Sequence, residues 1–273
     1  MVFVAGAYAE KPPAFDVASV KANHSEDRRT IHVQFLPGGR LSIGNVALFA
    51  IISFAYDVPI NPSIRLSGMP DWARSERFDI EATTDNESLP PDVVGVARTR
   101  KMKLMLQTLL AERFHLRVRT ETKEMPIYAV LVGKNGPKLK PAGIQENDCA
   151  DPATKPDSGI ACHELMGGIG RGLHGKAVNI SDIARYIENW TDRPVIDKTG
   201  LTGLFEIDTE GWTPMVAPPG PPRESAAGGD EGLNDPERHT IFLVFDRLGL
   251  KLEAQRGPAQ LYTIEHLEKL SEN

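Results

Sequence analysis

The sequence predicts an α+β protein of two tandem, pseudo-symmetric β-α-β-α-β-β units, with mostly antiparallel sheets and helices packed on one face. Three observations predict it. The second half repeats the first: Phe114-His115-Leu116-Arg117-Val118, then Pro126-Ile127-Tyr128-Ala129-Val130, lines up without a gap on Leu248-Gly249-Leu250-Lys251-Leu252, then Gln260-Leu261-Tyr262-Thr263-Ile264. Upstream the order matches too, with Asn45 opening an apolar helical stretch as Asn179 does and Arg77-Phe78-Asp79-Ile80 answering Leu204-Phe205-Glu206-Ile207. The 273 residues, 41% of them hydrophobic, are enough to bury a sizeable core or two small ones.

In chain order, Phe15 to Val20 alternates apolar and polar residues and reads as a strand. Pro37-Gly38-Gly39 turns into a short strand from Arg40 to Ile43. Asn45 is the expected N-cap of a helix that is apolar nearly all round, so that helix should be buried on several sides. After a Pro-punctuated loop, Arg77 to Ala82 returns as a strand. A longer helix follows from Thr99 to Arg113, with Met102, Met105, Leu106, Leu109 and Leu110 at helical spacing as core residues. Two strands, Leu116 to Thr122 and Ile127 to Val132, are expected to be joined by a turn at Lys123-Glu124-Met125-Pro126. The second copy replays this with the cap Asn179, the stripe Ile180, Ile183, Ala184, Ile187 and Trp190, and strands at Pro194-Val195-Ile196 and Leu204 to Asp208. A final helix from Ile241 to Leu248, closed by Gly249, leads to a hairpin of Leu250 to Ala254 and Leu261 to Ile264. The expected division is a leader or signal-peptide remnant at 1–14, a first repeat at 15–140, a cysteine-containing connector at 141–171, and a second repeat at 172–273 with a disordered insertion at 212–238.

A formal charge of −6 supplies no global positive field for polyanions, so nucleic acid is not an expected partner. The basic run Arg98, Arg100, Lys101 and Lys103 has no interleaved aromatic residues and reads as a solvated helix face. No stretch is long and apolar enough to span a membrane, and Val46 to Tyr56 reads as one short buried helix. Met1 to Ala9 is small and apolar and ends Ala7-Tyr8-Ala9, which fits the tail of a signal peptide. The two cysteines, Cys149 and Cys162, fall in the Gly/Pro/Asp-rich connector, where an oxidising compartment would bond them. Free thiols are the second reading. A zinc site recruiting Asp148 and His163 is the third, and it lacks both ligand-motif spacing and an evident fourth ligand.

Catalytic motifs are missing: there is no His-Glu-x-x-His, no Gly-x-Ser-x-Gly and no phosphate loop. Gly167 to Gly172 is glycine-rich but lies in a connector with no βαβ unit around it, and reads as a linker. Acids such as Asp71, Glu76, Asp79 and Asp197 would serve general acid/base chemistry only if the fold gathers them. The candidate interaction residues are Asp71, Trp72 and Arg77 around one turn and Asp197 and Lys198 at another. No cofactor or metal is expected.

Several phrases resemble the successive signatures of an uncharacterised, Acidobacteria-type family of predicted exported proteins abundant in soil bacteria. They are Phe15-Asp16-Val17-Ala18-Ser19-Val20-Lys21, Asp71-Trp72 with Glu76 to Ala82, Leu109 to Phe114, Gly136-Pro137-Lys138-Leu139, Arg193 to Gly203 and Glu268 to Asn273. Related domains occur fused behind BlaR-type membrane metallopeptidases. The resemblance implies export and leaves activity open. The expected function is a noncatalytic binding or interaction module for a protein, peptide or small-molecule ligand. The alternatives are a sensor or substrate-recruiting domain beside a membrane peptidase, and a hydrolase with convergent carboxylates.

Overall fold

A computed structural model describes residues 12–27, 30–60, 63–85, 87–90, 92–93, 95–150, 162–213 and 240–270. The expected leader, apart from its last few residues, and nearly all of the expected insertion lie outside these. The first half runs β1 (Val17–Asn23), β2 (His32–Leu36), β3 (Arg40–Ala47), α1 (Leu48–Ala55), β4 (Leu66–Ser67), a single-turn α2 (Trp72–Ser75), β5 (Arg77–Thr83), α3 (Gly95–Phe114) and β6 (Arg117–Val132). Then come β7 (Lys140–Pro141), a 3-10 turn at Glu146–Ala150, β8 (Met166–Gly168), β9 (Gly172–Val178), α4 (Ile180–Ile187), β10 (Val195–Asp197), β11 (Phe205–Asp208), α5 (Ile241–Arg247) and β12 (Leu250–His266).

The protein is α+β, and the described strands form three mostly antiparallel sheets. One sheet has the order β1-β5-β3-β2 and another the order β7-β11-β9-β8, both with every neighbour antiparallel. The third, β10-β6-β12-β4, has β6 and β12 antiparallel at its centre, flanked by β10 parallel to β6 and β4 parallel to β12.

Two cores form. In the first, Leu41, Ile43, Phe78 and Ile80 of the β1 sheet pack against Leu48, Ile51 and Ile52 of α1 and Met102, Met105, Leu106 and Leu110 of α3. The second gathers Leu173 and Val178 of β9, Ile180, Ile183 and Ile187 of α4, Val195, Ile207, Trp212, and Val244 and Phe245 of α5. β6 and β12 serve both: Val118 and Ile264 sit at the first core, and Tyr128, Val130, Leu250 and Leu252 at the second.

The two expected hairpins are instead one ribbon. β6 runs unbroken through Pro126, β12 runs unbroken through Gly257 and Pro258, and they pair with each other from Leu250↔Val132 to Ile264↔Val118. The reason is parity. The Tyr128 N–H donates outward to the Pro194 carbonyl at 2.8 Å, and the Tyr262 N–H donates outward to Arg65 at 2.7 Å. Residues an even number of places away face the same outer side, so Pro126 and Pro258 remove no ladder bond.

Other expectations shift locally. Asn179 caps α4 in a reciprocal capping box with Asp182. Asn45 caps nothing: it sits at φ 55° in an irregularity of β3 between Ile43 and Val46, and Ala47 precedes α1 with no side-chain cap. Trp212, the first residue of the expected insertion, is fully buried in the second core. The glycine run folds as the β8–β9 hairpin rather than a linker. A side chain at Gly172, at φ 85°, would meet the Thr209 carbonyl at 1.9 Å, which accounts for the glycine.

Candidate functional site

Charged side chains concentrate where α1, α3 and α4 meet. The chain leaves α1 through Asp57, at φ 52°, and there Asp57 takes ion pairs from Lys103 of α3 and, at 3.1 Å, from Arg185 of α4. Arg185 also holds Asp182 at 2.9 Å, Asp182 holds His163 Nδ1 at 2.7 Å, and His163 Nε2 lies 3.1 Å from Glu146. Glu146 in turn accepts the Val96 N–H at 2.8 Å, capping α3 from the connector. A second pair crosses the same junction: Arg65 Nε lies 2.9 Å from Glu188 Oε1, off the line of its N–H, while Arg65 Nη2 donates to the Asp57 carbonyl at 2.7 Å.

The burial of this chain of charges sets its electrostatics. Lys103, Asp182 and Glu188 are each at most 7% exposed. Burial pushes the Lys103 ammonium below its ordinary value, against the pull of Asp57, and pushes the Glu188 carboxyl up, against Arg65. Burial would lower His163, but Asp182 and Glu146 outweigh it and hold the imidazole above its ordinary value. Tyr56, edge-on to Tyr262, is pushed up to about 12 by burial and by that neighbour. Every charge here has a partner, so the junction reads as a clamp between the cores rather than a reaction centre.

Two concavities flank the first sheet. One, of about 500 Å³, lies over its outer face. Of the acids that the sequence offered for catalysis it holds Asp79, already committed: Asp79 accepts from Asn23 Nδ2 at 2.8 and 3.0 Å and from the Asn45 N–H at 2.8 Å. Glu81 accepts the Ser42 hydroxyl proton at 2.6 Å, so His32, 3.1 Å from the same hydroxyl oxygen, must donate to it. This is not a nucleophile–base pair, in which serine gives its proton to histidine.

The other is a groove of about 1350 Å³ between the end of β1, the start of β5, the end of α3 and the C-terminal tail. Lys21, Arg77, Arg113 and Lys269 line it with Glu26, Glu76 and Glu112. Among the described residues β1 is the terminal strand of its sheet. Thr84 N–H bonds Gly39 on the β3 side of β5, so odd-numbered residues of β5, and their odd-numbered partners in β1, face each other. Ala18, Val20 and Ala22 therefore turn their peptide groups outward, and the Ala18 carbonyl accepts from Arg113 at 3.1 Å.

The expected site residues fall in two places that the fold does not unite. Asp71 is exposed at the start of α2, and Trp72 packs half-buried on the first core under Lys269, which also pairs with Glu76. Arg77 lines the groove and binds the Asn45 carbonyl. At the far end of the ribbon, Asp197 accepts from the Thr199 N–H and hydroxyl at 2.9 and 2.8 Å, and Lys198 bonds Gln255 at 2.9 Å. Cys149 and Cys162 are bonded, with Cα atoms 5.6 Å apart. Asp148, considered as a zinc ligand, caps its own turn at the Gln145 N–H, 2.7 Å away. Lys103, read as part of a solvated face, is buried beneath Phe54, whose ring centroid is 4.7 Å from Nζ. Sequence reasoning missed Asp57, Arg65, Lys103, Asp182, Arg185 and Glu188; the one local signal was Asp182 three residues after Asn179.

Fold and sites together define a two-core α+β protein with a charge clamp and an open, strand-edged groove. The chain belongs to the DUF3738 family of proteins of unknown function, whose family model matches residues 50–267. No curated protein and no solved structure matches it. Among the described residues, no helix is long and apolar enough to cross a membrane.

Proposed function

We propose that the protein is an exported, noncatalytic binding module that takes an extended peptide segment along the open edge of β1. The observation that carries this reading is the groove beside outward-facing peptide groups at Val20 and Ala22. A bound strand would use them as a further rung of the sheet, and Lys21, Arg113 and Lys269 favour a segment bearing carboxylates. The Cys149–Cys162 bond supports an extracytoplasmic setting, where disulfides persist. The shared strand order of the β1-β5-β3-β2 and β7-β11-β9-β8 sheets supports descent from a duplicated unit. The hydrolase reading has Asp79 and Glu81 against it, both spent on structural hydrogen bonds. A recruiting role beside a membrane peptidase would use the same groove.

The test is enrichment of a degenerate pool of acidic, β-prone heptapeptides on the immobilised full chain, repeated with Ala22→Pro, which removes one outward N–H. Enrichment that Ala22→Pro weakens about tenfold supports the reading, that factor corresponding to one lost hydrogen bond. No enrichment, or equal enrichment by both chains, overturns it.

A further inference from the structure

We propose that the disulfide masks a zinc site: once Cys149 and Cys162 are reduced, their thiolates bind a divalent zinc ion together with His163 and Glu146. Local geometry has already assembled the set. Glu146 and Cys149 are three residues apart on the 3-10 turn Glu146–Ala150, the spacing at which side chains of that helix eclipse. His163 has a left-handed φ of 61°, which breaks the alternation that would send it and Cys162 to opposite sides. As a result a carboxylate oxygen of Glu146, Cys149 Sγ and a ring nitrogen of His163 lie within 4.8 Å of one another. Tetrahedral zinc with sulfur, nitrogen and oxygen ligands needs separations of about 3.3–3.8 Å, a contraction within reach of side-chain rotation. Cys162 supplies the fourth ligand from a Cα only 5.6 Å from that of Cys149.

A second, independent feature points to a metal. Metal-binding histidines carry a carboxylate on the ring nitrogen that faces away from the ion. Asp182 stands 2.7 Å from His163 Nδ1, is 6% exposed, and is itself fixed by Arg185 at 2.9 Å and by the Asn179 N–H at 3.0 Å. With Nδ1–H donated to Asp182, release of the Nε2 proton to solvent as the metal binds leaves the Nε2 lone pair facing Glu146 and the sulfurs. The chemistry balances. A dithiol reductant passes two electrons and two protons to the disulfide and becomes a disulfide itself, and zinc then displaces the two cysteine protons to solvent.

The experiment uses the full chain, oxidised or reduced with a water-soluble phosphine, titrated anaerobically with cobalt(II) as the spectroscopic stand-in and then with zinc. The expected result is a single cobalt per reduced chain, with sulfur-to-cobalt charge transfer and the intense visible bands of tetrahedral coordination, bleached by zinc and absent from the oxidised chain. Asp182→Asn should weaken zinc binding about 10- to 100-fold with the tetrahedral spectrum retained. Glu146→Gln, at a half-exposed position and with an amide oxygen that can still accept the Val96 N–H, should alter the visible bands. Equal binding by the oxidised chain, no tetrahedral spectrum on reduction, or affinity and spectrum unchanged in His163→Ala and Glu146→Gln would each overturn the proposal; the last would reduce it to two loose thiols. Should reduction unfold the chain, zinc must restore its circular dichroism, and failure to do so also overturns it.

Discussion

Arg65 and Lys103 are both cations withdrawn from water at the junction of the cores, and their removal should carry different weights. Arg65→Met strands Glu188, whose side chain is 6% exposed, and should cost about 3–5 kcal/mol in urea unfolding. Lys103→Met leaves Asp57 half-exposed and still held by Arg185, and removes a desolvated ammonium, so a change below about 1 kcal/mol is expected. Glu188 also gives a pH signature. Its carboxyl is raised in the folded state, so the native protein holds that proton longer than the unfolded chain does. Its contribution is therefore fully present below the ordinary carboxylate range and is lost as pH rises from there through the folded value. The stability difference between the protein and Glu188→Gln should fall across that window in denaturation curves taken at successive pH values, and a flat difference would contradict the assignment. None of these pairs was legible in the sequence. Asp57 and Arg185, or Arg65 and Glu188, come from opposite halves of the chain, and no local periodicity joins residues that only tertiary packing brings together. Asp182 could be suspected as the reciprocal partner of the Asn179 cap, but its bond to His163 could not.

At the level of elements, helices and most strands were readable because their apolar spacing is local, and the α1, α3 and α4 stripes are buried as their patterns require. The ribbon was not, because Lys-Glu-Met-Pro carries turn chemistry and only the direction of neighbouring peptide groups reveals that Pro126 does no harm. That parity is testable. Glu124→Pro places a proline at an outward position and should change stability by less than about 1 kcal/mol. Lys123→Pro removes an inward N–H opposite Ala259 and should cost about 1–3 kcal/mol. Equal effects in thermal unfolding would mean that the ladder's parity is reversed.

For the whole molecule, the internal repeat pointed to two similar units, while the structure divides labour differently: each core takes strand residues from both halves. Residues 12–150 lack Ile264, Leu267 and Leu270 of the first core, and residues 151–273 lack Tyr128 and Val130 of the second. Produced separately, each fragment should give poorly protected amides in hydrogen exchange; mixed, they should form a one-to-one complex with the circular dichroism of the intact chain. Fragments that each fold alone would show the cores to be independent.

The β6–β12 ribbon also governs how this protein comes into being. β6 leaves the ribosome long before β12, the strand that covers its inner edge, and the first core waits for Ile264 of β12 to close. Contacts so distant in sequence make folding slow, because loop closure must precede any gain from pairing. Until β12 emerges, β6 presents an unpaired strand edge that invites association with other chains. A nascent chain that cannot close either core before β12 is made is also one that stays threadable until that strand emerges.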